Sequence, residues 1–182
     1  MSHWIDPNVE ILLDTFLDAA RELKLSYAIG GALAMGAHGY RRHTSDVDAY
    51  VVYGEHGQWL RALRTRGLIV EPLFRGVQYI AQLSRQSDPA ERIDVLVPAG
   101  DPEMSAIEVP DSGIIANRPA EIWPVSLLVI AKFRSDRPKD QVDVEEMFDR
   151  GLFDPSEVRT VMMHMDEPEL ADDFVKKFGG KR

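Results

Sequence analysis

Residues 27–50 read YAIGGALAMGAHGYRRHTSDVDAY, and the order of parts in this stretch decides the fold. A short apolar run, Ser26 to Ile29, stops at the pair Gly30-Gly31 and reads as a strand. Ala32 to His38 then reads as a helix, and Asp46 to Val52 as a second strand. Residues two apart on a strand share a face. Asp46 and Asp48 therefore point together with Tyr50 and Val52, while Val47, Ala49 and Val51 face the other way.

Two like charges side by side repel, and each raises the other's pKa. A divalent cation removes that conflict, and Mg²⁺ takes carboxylate, phosphate and water oxygens. The spacing alone is not specific. In a chain with 30 acidic residues, two acids two apart arise about five times by chance, and a solvated strand edge or turn is the commoner source of such a pair. Gly30-Gly31 opening a helix bears on the choice, because free N–H groups at a helix start bind phosphate and glycine permits close approach. A tight strand-to-helix turn explains the same glycines. Asp94 in the run Glu91-Arg92-Ile93-Asp94-Val95-Leu96-Val97 also bears on it. Ile93, Val95 and Val97 fill one face, and Asp94 interrupts the other beside Leu96. If this strand neighbours the first, three carboxylates converge; otherwise Asp94 partners an arginine. A phosphate cradle, a metal-binding pair and a third carboxylate are what nucleotidyl transfer needs. Two metals about 3.5–4 Å apart clamp the attacking and leaving oxygens, and the third acid takes the proton of the attacking hydroxyl.

Further out, Asp6-Pro7 is an N-cap with proline at the first helical position, and apolar residues from Val9 to Leu23 place a helix at about 7–24. Gly54 to Gly67 reads as a helix with a basic face. Leu68 to Pro72, Val77 to Leu83 and Arg92 to Val97 read as strands, broken by Arg75-Gly76 and Ser87-Asp88-Pro89. Pro98 to Pro110 reads as a loop with room for a short helix, and Gly113 to Ala116 as another strand. Helices follow at about 125–134, 139–150, 155–165 and 168–177, the third capped by Asp154 with Glu157 three residues on. Gly179-Gly180-Lys181-Arg182 should fray. The class is α+β, with a mixed sheet in an α/β core over 1–117 and a helical part over 118–182 packed on it as one unit. Consecutive strands without helices between them exclude a doubly wound parallel sheet.

The chain has 182 residues, no cysteine and a net charge of −9. Disulfides and thiolate metal sites are excluded. His38 and His43 lack the third partner that a zinc site needs, and His38 reads as a packed helix residue. Tyr27, Trp59, Tyr79 and Trp123 read as core or rim aromatics. The N-terminus has no signal-peptide pattern, and the longest apolar stretch, Pro124 to Ala131, is too short for a bilayer, so a cytoplasmic protein without membrane contact is expected. The acidic balance argues against a broad nucleic-acid footprint. Arg41, Arg42, Arg61, Arg64 and Arg66 could still supply a local basic mouth.

Gly30-Gly31-Ala32-Leu33-Ala34, His38-Gly39 and Arg42-His43-Thr44-Ser45-Asp46-Val47-Asp48 resemble the DNA polymerase β-type nucleotidyltransferase superfamily. More narrowly they resemble the AbiEii-like and minimal nucleotidyltransferases of bacteria and archaea, several of which are toxins of toxin–antitoxin pairs. The resemblance continues in Leu127-Leu128-Val129-Ile130-Ala131-Lys132 and in Arg137-Pro138-Lys139-Asp140-Gln141-Val142-Asp143, and covers about residues 27–148. It implies a small nucleotidyltransferase-type sheet flanked by helices, and transfer of NMP from an NTP such as ATP to an acceptor. Asp46, Asp48 and Asp94 would hold two Mg²⁺ ions, with Mn²⁺ as a substitute, and Asp94 would complete the catalytic set.

The resemblance further implies that Gly30, Gly31, Arg42, Thr44, Lys132 and Lys139 bind nucleotide, supported by Arg137, Asp140 and Asp143. Lys132 shares a helical stripe with Val125, Leu128, Val129 and Phe133. A buried amine there must meet an anion, either nucleotide phosphate or the carboxylates of Asp140 and Asp143. Asp140 shares a face with Val144 and Met147 and so points inward, to orient Lys132 or Arg137. Arg42 is read as a phosphate contact or a solvated side chain, and Thr44 as a brace. The acceptor stays open among a tRNA 3′ end, a protein hydroxyl and a small molecule such as an aminoglycoside. An antitoxin protein is a further implied partner. The rival is a nucleotidyltransferase-fold protein that only binds nucleotide or a protein partner and catalyses nothing.

Overall fold

The computed structural model describes residues 4–75, 78–85, 88–98, 100 and 102–180. Gly76 and Ser87 in the expected turns, and Lys181 and Arg182 at the expected frayed end, lie outside the described residues. So does the side chain of Tyr79.

The elements follow in the order α1 (Pro7–Leu23), β1 (Tyr27–Ile29), α2 (Gly31–Ala37), β2 (Asp46–Val51), α3 (His56–Thr65), β3 (Ile69–Arg75), β4 (Gln78–Arg85), β5 (Asp88–Leu96), α4 (Glu103–Glu108), β6 (Asp111–Ile115), β7 (Arg118–Ile122), α5 (Val125–Phe133), α6 (Pro138–Asp149), α7 (Pro155–His164) and α8 (Pro168–Phe178). The seven strands form one sheet in the order β3-β4-β5-β2-β1-β7-β6. β2 runs parallel to β5, and β1 parallel to β7; the other neighbours are antiparallel.

The β2–β5 register sets the site. Asp46 lies opposite Arg92 and Asp48 opposite Asp94. The antiparallel partner β4 adds Gln82 opposite Asp94 and Ser84 opposite Arg92. One sheet face therefore carries polar rows, whereas Val47, Ala49, Val51, Ile93 and Val95 on the other face are buried. Apolar and polar faces alternate along β2 as the period of two requires.

The buried face is covered by α1 and α3. α1 starts where Asp6 accepts a hydrogen bond from Asn8 N at 2.9 Å, with Pro7 beginning the helix. Its Phe16 stacks on Trp59 of α3, with ring centroids 4.8 Å apart and planes 5° from parallel. Tyr27 of β1 meets Phe16 edge-on at 5.3 Å and Trp59 at 5.9 Å. Because Tyr27 pairs with Val51, this cluster sits under the face opposite the aspartates. α3 is thus on the far side of the sheet, and Arg66 of the segment pairs with Glu22 of α1. The expected basic mouth from Arg41 to Arg66 is not formed: a sequence cluster of arginines is split between the two sides of the sheet.

The region beyond residue 97 also differs from the sequence expectation. Residues 103–108 form the short helix α4, and residues 118–122 form a strand absent from the sequence reading. β7 lies between β1 and β6, so the sheet continues past residue 117 to Ile122. Its sequence, RPAEI, has proline and two charges, which hide a strand. Arg118 pairs with Asp14 and Glu10 of α1, tying β7 to the first helix. The C-terminal helices pack through Phe133, Phe148, Phe153, Phe174 and Phe178, whose rings lie 4.9–6.2 Å from one another. Among the described residues no helix is long and apolar enough to cross a membrane.

Trp59→Ala removes the side chain that joins α3 to α1 beneath the sheet. It should lower the unfolding free energy by about 3–5 kcal/mol in urea denaturation. A loss under about 1 kcal/mol would show that the stack does not hold this layer.

Candidate active site

The polar sheet face opens into a cleft of about 510 Å³. Asp46 and Asp48 of β2 and Asp94 of β5 stand on its floor, and Arg42, Lys132, Arg137 and Lys139 line it from the loop before β2 and from α5 and α6. Gly31, Tyr50, Gln82, Arg92 and Trp123 line it as well. Every site residue expected from the sequence except Gly30 and Asp143 lines this cleft. Thr44 also lines the cleft while its side chain braces the floor, and Asp143 lies behind Lys132.

Gly31 sits directly over Asp48. Its φ is +56°, and a Cβ built there would meet Asp48 Oδ2 at 1.8 Å. Only glycine combines that backbone with that approach. Gly30 donates its N–H to the Asp48 carbonyl at 2.9 Å, and a Cβ on it would press on the Tyr50 ring at 2.8 Å. The glycine pair is therefore required by the aspartate and aromatic packing beneath it, an explanation that stands beside the expected phosphate cradle.

Burial pushes the Asp48 carboxyl up to about 7, and the charges of Asp46 and Asp94 push in the same direction. Lys132 and Lys139 oppose the rise. Asp94 is raised too, chiefly by burial, although Arg92 pulls it down. Thr44 is buried and donates Oγ1–H to Asp46 Oδ1 at 2.8 Å, which orients that carboxylate. Thr44 also bridges to Ile5, which fixes the loop.

The sequence left an arginine partner for Asp94 open, and Arg92 is that partner, although it was not among the expected site residues. Its Nε donates to Asp94 Oδ1 at 3.0 Å and Oδ2 at 3.3 Å, and its terminal nitrogen is 3.7 Å from Asp46 Oδ2. The period of two places Arg92 on the Asp94 face, so the signal was present. Gln82 had no such signal, because it reaches the site through strand pairing alone.

Lys132 meets both carboxylates that the sequence offered as alternatives. Nζ donates to Asp140 Oδ1 at 2.8 Å and to Asp143 Oδ2 at 2.7 Å. Asp140 Oδ2 accepts from Arg137 Nε at 2.6 Å and from Ser135 Oγ at 2.8 Å. Burial alone would raise the Asp140 pKa, but the bonds from Lys132 and Ser135 hold it below the ordinary value. Arg42 is an ion-pair partner of Asp143 at 3.1 Å rather than a solvated arginine. Lys139 is exposed at the cleft. His38 packs as expected, with Nε2 2.7 Å from the Trp123 carbonyl oxygen.

The donor set suits a hard cation: three carboxylates on one face, two of them with raised pKa values, and no sulfur or imidazole among them. As arranged here, no three acidic or histidine side chains among the described residues close round an ion. Arg92 supplies the positive charge between Asp94 and Asp46.

No protein-family model matches the sequence, and no curated protein matches it. Solved structures do. The antibiotic-resistance factor ANT(2'')-Ia superimposes with a TM-score of 0.60 at 21% identity, over 94% of this chain and 93% of that one. ANT(2'')-Ia in complex with adenylyl-2''-tobramycin gives 0.58 at 20% identity, over 95% and 99%. This chain has the nucleotidyltransferase fold. The lincosamide antibiotic adenylyltransferase LnuA, bound to lincomycin, is similar with a TM-score of 0.54 at 12% identity, over 78% of this chain and 95% of that one. A Thermotoga maritima protein described as a candidate nucleotidyltransferase gives 0.57 at 11% identity, over 82% and 96%.

The raised Asp48 pKa has a direct consequence. A carboxyl that binds its proton more tightly when folded adds stability below its unfolded value, near 3.8, and that contribution is lost as pH rises to about 7. The metal-free protein should therefore lose stability across this window, and Asp48→Asn should remove the loss. Mg²⁺ should raise the melting temperature more at pH 8 than at pH 5. Parallel stability curves for wild type and Asp48→Asn would contradict the assignment.

Proposed function

We propose that the chain is a Mg²⁺-dependent nucleotidyltransferase that moves NMP from an NTP to a hydroxyl on a small-molecule acceptor. The observation that carries this reading is the β2–β5 register, which sets Asp94 beside Asp48 and two residues from Asp46 along the same face. Asp46, Asp48 and Asp94 would hold the ions, with Mn²⁺ as a substitute. When bound, the ions supply charge neutralisation at the triphosphate and at the attacking and leaving oxygens.

The chain's own residues have distinct parts. Asp94 takes the proton of the acceptor hydroxyl as its oxygen bonds to the α-phosphorus. The bond from the α-phosphorus to the bridging oxygen breaks, and pyrophosphate leaves. Lys132, Lys139, Arg42 and Arg137 would offset the triphosphate charge from the wall facing the carboxylates, and the backbone of Gly31, in the cleft lining, would approach a phosphate. Thr44 keeps Asp46 in position. Arg92 must release Asp94 for that carboxylate to act as base.

Two facts favour a small acceptor over a nucleic acid. The basic face of α3 lies across the sheet from the cleft, so it cannot extend a backbone-binding track from it. The chain also matches nearly the whole length of ANT(2'')-Ia, a structure of which carries adenylyl-2''-tobramycin. The hold of Arg92 on Asp94 favours a second reading, in which the fold binds nucleotide without transferring it. A tRNA acceptor would instead make the protein a growth-arresting toxin with an antitoxin partner.

One experiment separates these. α-Labelled NTPs with Mg²⁺ are incubated with tobramycin, lincomycin, tRNA or cell extract. Label should appear on a small molecule with pyrophosphate release, and Asp94→Ala should cut the rate by ~10²–10⁴ while staying folded. Label on tRNA or protein would replace the acceptor class. Tight MgATP binding without transfer to any acceptor would favour the binding module.

A further inference from the structure

Behind the cleft wall lies a buried ion network of two aspartates and three cations, drawn from three parts of the chain. Lys132 comes from α5, Asp140 and Asp143 from α6, and Arg42 from the loop before β2; Arg137 caps the start of α6. Each aspartate gives one oxygen to Lys132 and the other to an arginine. Asp140 takes Arg137, and Asp143 takes Arg42, whose Nε is 3.1 Å from Asp143 Oδ1. Three cations against two anions leave a net charge of +1 facing the cleft.

The two aspartates do different work. Asp140 is tied within the α5–α6 turn, through Ser135 and Arg137 as well as Lys132. Asp143 is the member that reaches another part of the fold. Its partner Arg42 lies two residues before Thr44, which orients Asp46. Asp143 thus joins Lys132 to the loop that leads into the carboxylates. Its side chain is 3% exposed, against 31% for Arg42. A carboxylate buried to that extent is a weak source of stability, since a well-packed apolar residue usually does as well. Its position calls for another role.

We propose that Asp143 is a positioning residue for the triphosphate subsite, holding Lys132 and Arg42 side by side before nucleotide arrives. The proposal rests on the nucleotidyltransferase reading above. Lysine and arginine are the side chains that lose most rotamer freedom on binding, and fixing them beforehand removes that cost from the binding step. Asp143→Asn keeps the shape but drops the charge, so both cations lose their shared anchor.

The test is calorimetric titration of MgATP into wild type, Asp143→Asn, Arg42→Gln and the double variant, with inorganic tripolyphosphate and adenosine as separate probes. Asp143→Asn should weaken MgATP and tripolyphosphate by ~10–100-fold while leaving adenosine unchanged. In turnover the loss should appear in KM for the nucleotide more than in kcat. Arg42→Gln should weaken the same two ligands, and the double variant should be little worse than Asp143→Asn alone. Unchanged tripolyphosphate affinity in Asp143→Asn, or strictly additive effects, would overturn the proposal. If Asp143→Asn fails to fold, Arg42→Gln at the cleft surface decides, and full MgATP affinity there overturns it. A wild type that binds MgATP while the variants match it sinks this proposal alone. A wild type that binds no MgATP sinks the nucleotidyltransferase reading with it.

Discussion

Three carboxylates crowded onto one partly buried sheet face are the constraint on which the rest of this structure depends. Asp48 faces Asp94 directly across the β2–β5 ladder, and Asp46 stands two residues away. Like charges placed opposite each other destabilise a sheet. The surroundings answer that repulsion at several points. Asp48 holds its proton up to about 7, Arg92 bridges Asp94 and Asp46, and Thr44 binds Asp46. These arrangements make the face tolerable, and a divalent cation would do so more completely.

The elements around the face are shaped by the same constraint. Gly31 has a left-handed backbone, and Asp48 Oδ2 occupies the space where a side chain would go. The opposite face of β2 is apolar throughout, which fixes register, since a slip by one residue would turn the aspartates into the α1–α3 core. On the far wall, Asp140 and Asp143 hold the cations that look across at the carboxylates. Positive and negative groups thus line one cleft of about 510 Å³.

Much of this was legible in the sequence, for stated reasons. The shared face of Asp46 and Asp48 follows from strand periodicity, and the inward side of Lys132 and Asp140 follows from helical periodicity. The conditional convergence of Asp94 was met by the parallel pairing of β5 with β2. β7 was hidden because its residues, Arg118 to Ile122, hold proline and two charges that suit an ion pair with α1 rather than strand propensity. The arginines between 41 and 66 misled because closeness in sequence does not carry across a sheet: Arg42 reaches the cleft, whereas α3 lies beneath the opposite face. Gln82 enters the site by register alone, which no single segment encodes, whereas Arg92 shares the Asp94 face by strand periodicity.

The most direct measurement is a crystal structure with Mn²⁺ and a non-hydrolysable ATP analogue, read by anomalous scattering. The account predicts manganese peaks between Asp46, Asp48 and Asp94, with Arg92 turned away from Asp94 and the triphosphate against Lys132 and Arg42. Manganese or nucleotide bound elsewhere, with Arg92 still closed on Asp94, would contradict it.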